Sequence, residues 1–197
     1  MKIIAGDFKN RRLLSPPGRG TRPITARVKE RLFGRLGGRV TGAKVLDVFA
    51  GTGTIGLEAI SRGAASAVFI ERDRATAGLL AENVGRLGVA DRTLVWQTDV
   101  FRCSFRPRDA AGLTPFGLVF FDPPYPDADA LGRGRPLWKS LARVGKEGVT
   151  TPDAWLIVRV PADASPDLPA GWAARDVFRD GGMTLHEWQR VPPVEAV

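Results

Sequence analysis

The sequence predicts an α/β fold built on a mostly parallel sheet of seven strands. From Lys44 onward, apolar runs that suit buried strands alternate with segments of helical periodicity, which is typical of βαβ units. Two further strand patterns near the end flank the turn sequence Asp180-Gly181-Gly182, so we expect an antiparallel hairpin at one edge. Together these observations predict a sheet that is parallel except for an antiparallel C-terminal strand.

Each element follows from a local pattern, in chain order. Two short apolar runs, 3–5 and 12–14, predict an N-terminal hairpin, and Thr25 can cap a helix that ends at Gly37. The predicted core strands cover residues 45–49, 67–71, 93–97, 118–122 and 155–160, and the final pair covers 172–178 and 183–190. The predicted helices that connect the core strands cover residues 54–62, 74–87 and 130–144.

Positive charge is concentrated at the N-terminus. Residues 1–40 hold eleven Lys or Arg and two acidic residues, a local charge of +9, whereas the other 157 residues sum to −1. Such a segment is typical of a surface that binds nucleic-acid phosphates, although a solvated basic face has the same composition. We therefore expect a basic RNA-binding extension, 1–40, that adds little to the folding of the sheet, and a main domain, 41–197.

Several function classes are disfavoured by composition. No run approaches the roughly 18 apolar residues that a membrane helix requires. The apolar stretch near the start of the chain is too short for a signal peptide, so we expect a cytoplasmic protein. The chain has one cysteine, Cys103, and one histidine, His186. An internal disulfide is therefore excluded, and we expect no metal site.

The first chemical motif is a strand that runs into a glycine turn and a helix, Asp47-Val48-Phe49-Ala50-Gly51-Thr52-Gly53-Thr54-Ile55-Gly56. It matches G-x-G-x-x-G, and Glu71 follows Gly51 by twenty residues at the end of the second strand, where a carboxylate can bind ribose hydroxyls. This pattern alone permits a nicotinamide dinucleotide. Asp47 argues against one, because a carboxylate beside the turn would repel a pyrophosphate.

A cofactor with positive charge and no phosphate suits these carboxylates better. S-adenosylmethionine carries an ammonium and a sulfonium group, so Asp47 and Glu71 favour it over NAD. Asp99, just after the third strand, can accept a hydrogen bond from an adenine amino group, or it can cap the following turn. The predicted cofactor-binding residues are Asp47, Gly51, Thr52, Gly53, Glu71, Arg72, Asp99 and Val100.

The second motif is Asp122-Pro123-Pro124-Tyr125, at the end of the fourth strand, where open α/β sheets bind their ligands. An exocyclic amine of a nucleobase is a poor nucleophile, because its lone pair is delocalised into the ring. Two acceptors, the Asp122 carboxylate and the Pro123 carbonyl, would favour the pyramidal nitrogen of the transition state. Tyr125 offers a face on which an extruded base can stack. The alternative is a proline-rich turn with an incidental tyrosine, and the predicted catalytic residues are Asp122, Pro123 and Tyr125.

Both motifs, together with Thr21-Arg22-Pro23-Ile24-Thr25-Ala26-Arg27-Val28-Lys29-Glu30, resemble the bacterial small-subunit rRNA guanine-N2 methyltransferase family. The resemblance covers nearly the whole chain and thins after Tyr125. It implies a class I, Rossmann-like methyltransferase fold, with methyl transfer from S-adenosylmethionine to N2 of one guanine in 16S rRNA. The family commonly has threonine and aspartate where this chain has Ile24 and Ala26.

The resemblance and the basic segment also suggest how a substrate is bound. We expect a monomer whose partner is 16S rRNA within the small ribosomal subunit, with no membrane contact. The predicted substrate-binding residues are Arg11, Arg12, Arg19, Arg22, Thr25, Arg27 and Pro124.

Two other hypotheses stay open at this point. An adenine-N6 methyltransferase acting on DNA or RNA would use the same tetrapeptide, but we see no separate target-recognition region of about 100 residues. An RNA-binding assembly factor that has lost turnover through Ala26 is disfavoured by the presence of Asp47 and Asp122.

Overall fold

The computed structural model describes residues 1–16, 24–124 and 130–191. Within these ranges the chain forms one sheet of seven strands and four α-helices. The strands are β1 (Lys44–Val48), β2 (Ser66–Glu71), β3 (Thr93–Gln97), β4 (Phe116–Phe121), β5 (Thr150–Pro161), β6 (Trp172–Asp180) and β7 (Met183–Arg190). The helices are α1 (Ala26–Leu36), α2 (Gly56–Ser61), α3 (Arg74–Leu87) and α4 (Pro136–Val144). No helix in the described ranges is long and apolar enough to cross a membrane.

The sheet has the strand order β3-β2-β1-β4-β5-β7-β6. Neighbours from β3 to β5 are parallel, and β7 is antiparallel to both β5 and β6. This confirms the predicted sheet with its antiparallel strand. Val48 lies opposite both Ile70 and Phe121, and Phe121 lies opposite Val158, so four parallel strands end at the same edge.

Most predicted elements are present, with shifted ends. Strands β3 and β7 and helix α3 have the predicted bounds. Helix α4 begins at Pro136 rather than at 130, because proline suits the first helical turn, where its missing N–H costs no hydrogen bond. The predicted N-terminal hairpin is present in a short form: an antiparallel bridge joins Lys2 and Arg12, and Ile3 N–H donates to the Arg11 carbonyl at 3.0 Å.

Buried residues fill both faces of the sheet. Side chains alternate along a strand, so Val45 of β1 joins one core cluster and its neighbour Leu46 joins the other. The first cluster packs the sheet against α1, α2 and α3, and the second packs it against α4. The sheet is therefore the middle of three layers.

The N-terminal segment is part of the first core cluster. Helix α1 buries Val28, Leu32 and Leu36, and its Phe33 ring lies 5.8 Å from the Phe120 ring of β4. Ile3, near the chain start, is fully buried in the same cluster. Residues of the segment 1–40 therefore share the core of the sheet, and this packing argues against the expectation that they add little to its folding. Four of the eleven basic residues that suggested a separate extension lie on helix α1, which also has a buried apolar face.

Glu58 of α2 ties this segment to the main fold. Its fully buried carboxylate accepts hydrogen bonds from the Ile4 and Ala5 N–H groups, at 2.8 and 3.1 Å. It also forms ion pairs with Lys29 Nζ at 3.1 Å and Arg62 Nε at 2.8 Å. Lys29, one of the eleven basic residues, is thus a buried structural cation, 2% exposed.

Candidate active site

A cavity of about 460 Å³ opens where the parallel strands end. Carboxylates, backbone of the glycine turn and apolar side chains form its walls. The lining residues are Met1, Pro16, Ile24, Asp47, Phe49, Ala50, Gly51, Thr52, Thr54, Ile55, Ile70, Glu71, Arg72, Asp73, Thr76, Asp99, Val100, Phe101, Asp122, Pro123, Pro124 and Arg159. The cavity therefore combines both sequence motifs, as their positions at strand ends predict.

All predicted cofactor-binding residues except Gly53 line this cavity. A Cβ atom at Gly53 would lie 2.4 Å from Leu80 Cδ1 of α3, so the absence of a side chain there allows the turn to pack against that helix. Gly51 has a φ of +55° and no atom within 4 Å of an added Cβ. The first glycine thus opens toward the cavity, and the second serves helix packing.

Glu71 is held beside the glycine turn by two backbone donors. Its Oε2 accepts from Gly51 N–H at 3.0 Å, and its Oε1 accepts from Asp73 N–H at 2.8 Å. The first bond joins the end of β2 to the turn that follows β1. The carboxylate is thereby fixed at the cavity wall, and the sequence-based prediction that it binds a ribose stays a prediction.

Asp47 lies deeper, at the floor of the cavity, and is 1% exposed. Its Oδ2 accepts from Gly56 N–H at 2.8 Å. Burial raises its pKa to about 7, the Gly56 bond opposes this rise, and Asp122 and Glu71 add to it. A Cβ at Gly56 would lie 3.0 Å from Asp47 Oδ2 and 2.4 Å from the Phe69 ring, so the third glycine of the motif permits this contact.

Asp99, Val100 and Phe101, which follow β3, form another part of the cavity wall. Asp99 Oδ1 accepts from Phe101 N–H at 2.9 Å, so the carboxylate caps the turn after β3 and also lines the cavity. Val100 is buried, whereas Phe101 is 41% exposed. This wall offers a polar group next to an apolar surface, which suits an aromatic ring that carries an amino group.

Asp122 follows directly after β4 and is the acidic group of the second motif. Arg159 Nε, from the neighbouring strand β5, donates to Asp122 Oδ1 at 2.5 Å. Burial raises the pKa of Asp122, and Arg159 opposes this rise. Pro123 and Pro124 line the cavity beside it, and Tyr125 lies outside the described residues.

Among the lining residues that the sequence analysis does not predict, Arg159 and Phe49 are the most informative. Arg159 is 8% exposed and stands in the apolar run 155–160, so a charged residue inside a buried strand pattern was the available signal. Phe49 has a φ of +64°, and its ring meets the Phe121 ring edge to face at 5.4 Å. Sequence patterns carried no sign of this backbone conformation, which bulky residues adopt rarely.

The predicted substrate-binding arginines are placed differently from one another. Arg11 and Arg12 are exposed, and Arg11 Nη2 donates to the Arg86 carbonyl at 2.8 Å. Arg19 and Arg22 lie outside the described residues. None of the described ones lines the cavity, so their contact with a substrate stays a prediction.

Thr25 and Arg27 have structural partners. Thr25 Oγ1 accepts from Val28 N–H at 3.2 Å, which confirms the predicted cap of α1. Arg27 Nη2 pairs with Asp180 Oδ1 at 2.7 Å, and Arg31 pairs with the same carboxylate. The bonds of Arg27 and Arg31 attach α1 to β6, and a role for Thr25 or Arg27 in substrate binding stays a prediction.

The chain matches the family Conserved hypothetical protein 95 over residues 1–189. The protein Ribosomal RNA small subunit methyltransferase D of Escherichia coli K12 is 34% identical over 191 residues, which is 96% of this chain and 90% of that relative. This chain belongs to the same methyltransferase family. The resemblance drawn from the two motifs is thereby confirmed.

Solved structures agree with this assignment. The structure of yhhF from Escherichia coli is 33% identical, with a TM-score of 0.80 over 97% of this chain and 98% of that one. An RNA methyltransferase from Salinibacter ruber, in complex with S-adenosyl-L-homocysteine, has a TM-score of 0.63 at 18% identity, over 88% and 96% of the two chains. The fold is that of class I methyltransferases.

The cofactor of this family is S-adenosylmethionine, as the sequence predicts. The residues present fit it. The cavity has acidic groups at Asp47 and Glu71 for a molecule with two cationic groups, and no phosphate has to be accommodated. Thr52, 4% exposed, has a buried Oγ1 atom without a hydrogen-bond partner among the described residues. Such an orphan at the wall of a cavity is expected where a ligand group completes the site.

Proposed function

We propose that this protein transfers a methyl group from S-adenosylmethionine to the exocyclic N2 of a guanine in 16S rRNA of the small ribosomal subunit. The observation that carries the proposal is the position of Asp122 and Pro123 in the same cavity as the glycine turn and Glu71. Membership of a family that includes rRNA small subunit methyltransferase D supports RNA as the substrate. Both reacting partners would then meet at one sheet edge.

The chemistry required of the protein is activation of a weak nucleophile. When bound, the cofactor supplies a methyl group attached to a positively charged sulfur. The amine nitrogen forms a bond to the methyl carbon while the carbon–sulfur bond breaks and its electron pair stays on sulfur. The nitrogen also loses one proton, which leaves to water.

Asp122 is the residue that assists this nitrogen. A carboxylate that accepts an amine hydrogen bond favours the pyramidal nitrogen more in the transition state than in the ground state. The Pro123 carbonyl would accept the second hydrogen, because the ring of Pro124 restricts the backbone that carries it. Pro123 is buried and Pro124 exposed at the cavity, so the pair forms part of the wall that the base would meet.

The N-terminal segment would hold the RNA next to this cavity. Its Met1 and Pro16 line the cavity, so the segment borders the site directly. Exposed basic residues on the same segment would contact phosphates and release counterions. These residues are Lys2, Lys9, Arg11 and Arg12.

Mass spectrometry of nucleosides from 16S rRNA tests the proposal in a strain that lacks the gene. We expect a lower N2-methylguanosine content in the 16S rRNA, restored by the wild-type gene and by Asp153→Asn, a control at an exposed carboxylate of β5. Asp122→Asn should fail to restore it. An unchanged N2-methylguanosine content in the deletion strain would contradict the proposal, and loss of N6-methyladenosine instead would assign the adenine alternative.

Assays on the purified protein separate an effect on catalysis from an effect on cofactor binding. Removal of one charged acceptor aimed at the reacting group costs on the order of a hundredfold to a thousandfold in rate. We expect Asp122→Asn to lower the single-turnover rate by this amount while S-adenosylhomocysteine still binds in calorimetry. A near-wild-type rate for Asp122→Asn would contradict amine activation by Asp122, whereas no methyl transfer by the wild-type protein would support the RNA-binding alternative.

A further inference from the structure

Arg159 of β5 is the neighbour of Asp122 across the sheet. The register places Val158 opposite Phe121, so Arg159 lies alongside Asp122 at the end of the two strands. The two side chains are 10% and 12% exposed, and Arg159 Nε donates to Asp122 Oδ1 at 2.5 Å. Arg159 Nη1 also lies 3.9 Å from Met183 Sδ of β7. The guanidinium therefore contacts both Asp122 and the strand on the other side of β5.

A carboxylate that activates an amine must be ionised and must present an oxygen to the cavity. Among the described residues, Arg159 is the one side chain that bonds Asp122. Because this bond uses Oδ1, it fixes the rotation of the carboxylate and leaves Oδ2 for another donor. Charge-assisted bonds of this kind are short and directional.

Other charged groups lie in the same cavity. Asp47 of β1 is one of them, and its pKa is raised by burial and further by Asp122 and Glu71, and is lowered by Arg159. The other charged groups of the packed elements pair elsewhere or line the cavity. Lys29 pairs with Glu58, and Arg27 and Arg31 pair with Asp180. Arg72, Asp73 and Asp99 line the cavity.

We propose that Arg159 is a positioning residue that keeps Asp122 ionised and holds one of its oxygens so that the other accepts the substrate amine. This inference rests on the proposed methyl transfer to an exocyclic amine. Arg159 lines the cavity as well, and in this proposal it acts on the reaction through its bond to Asp122. Without it, burial would favour the protonated form of Asp122 more strongly, and a protonated carboxyl group donates a hydrogen bond where an ionised one accepts.

Carbon-13 NMR of the Asp122 carboxyl group in the free protein is the first test. We expect Arg159→Gln to raise its titration midpoint by at least about one pH unit, a tenfold change in the protonation equilibrium. Arg159→Lys keeps the charge and should leave the midpoint close to that of the wild type. The control Arg190→Gln removes a β7 arginine that bonds Thr150 outside the cavity, and it should leave the Asp122 midpoint unchanged. An unchanged midpoint in Arg159→Gln would overturn the proposal.

A double-mutant cycle in single-turnover rate is the second test. At pH 7 we expect Arg159→Gln to lower the rate about tenfold to a hundredfold, and the loss should shrink as pH rises, since more Asp122 ionises. In an Asp122→Asn background the same change should cost less than about threefold. Additive losses would show that Arg159 does not act through Asp122. If Arg159→Gln fails to fold, Arg159→Lys replaces it in the double-mutant cycle. We then expect a reduced rate and an unshifted pH profile.

The two tests separate this inference from the proposed function. The NMR measurement needs no RNA, so an altered Asp122 midpoint stands even if the 16S guanine proves not to be the target. Calorimetry with S-adenosylhomocysteine should give affinities within about threefold of wild type for all Arg159 variants. A large loss of that affinity would assign Arg159 to cofactor binding and contradict the positioning role.

Discussion

Replacement of Glu58 by glutamine tests whether the N-terminal segment is part of the fold. The Glu58 carboxylate bonds the Ile4 and Ala5 N–H groups, Lys29 Nζ and Arg62 Nε, and it is fully buried. Glutamine keeps one acceptor oxygen and replaces the other with an NH₂ group. That group faces two of the four donors, and the charge that compensates Lys29 is lost.

The size of the effect follows from these contacts. Lys29 is 2% exposed, and burial lowers the pKa of its ammonium group while Glu58 opposes that effect. Removal of one partner of a buried ion pair costs about 3–5 kcal/mol, because a charge remains without compensation. For a domain of this size, a loss of 1 kcal/mol lowers the unfolding midpoint by about 2–4 °C. Glu58→Gln should therefore lower the midpoint by about 6–20 °C.

Thermal unfolding followed by circular dichroism measures this loss. Glu82→Gln is the matched control, since Glu82 is exposed on α3 and should be neutral. Lys29→Met should cost less than Glu58→Gln, because Glu58 then keeps Arg62 and its two backbone donors. Amide hydrogen exchange at Ile4 and Ala5 should also become faster in Glu58→Gln. A midpoint within about 2 °C of wild type for Glu58→Gln would refute the claim that this segment is integral to the fold.

Three further changes test the cavity and the basic segment. Gly56→Ala should destabilise the protein and weaken cofactor binding in calorimetry, because its Cβ would meet the Phe69 ring at 2.4 Å; wild-type affinity would contradict this packing. Burial raises the pKa of Asp47 to about 7, above its value in the unfolded chain. Protonation of Asp47 therefore stabilises the fold at low pH, and this contribution is lost as pH rises through about 7. Asp47→Asn should flatten that dependence in urea unfolding, and an unaltered slope would exclude Asp47 as its source. Arg11→Gln with Arg12→Gln should lower the salt slope of RNA binding by about one to two, and an unchanged slope would remove both from the RNA surface.

Helix α1 shows that basic residues which composition suggests for RNA binding can instead form ion pairs within the chain. Arg27 and Arg31 of α1 pair with Asp180, and Arg35 pairs with Asp176 and Glu187. These three arginines recur every four residues, so they lie on one face of the helix, and this face contacts the β6–β7 hairpin. Together with Lys29, which pairs with Glu58, four of the eleven basic residues of the segment 1–40 are therefore paired with acidic groups of the same chain.

The sequence by itself determined the elements that depend on local patterns. Alternating apolar runs and helical periods predicted the sheet, and Thr25 predicted the start of α1 through its cap. The glycine turn and the Asp122-Pro123-Pro124 segment predicted one cavity, because the carboxyl ends of parallel strands meet at one edge. Each of these inferences needs only residues that are neighbours in the chain or a general rule of sheet geometry.

The tertiary structure alone decided which distant charges meet. Lys29 meets Glu58 across 29 positions, Arg159 meets Asp122 across 37, and Arg27 meets Asp180 across 153. In a sequence, a lysine on a basic helix looks like a solvated cation whether or not an acidic side chain packs against it. Burial and pairing depend on strand order and helix packing, which bring these groups together only in the folded chain. In the sequence, Arg159 is a single charge in an apolar run, and only the packing of β4 against β5 makes it the partner of Asp122.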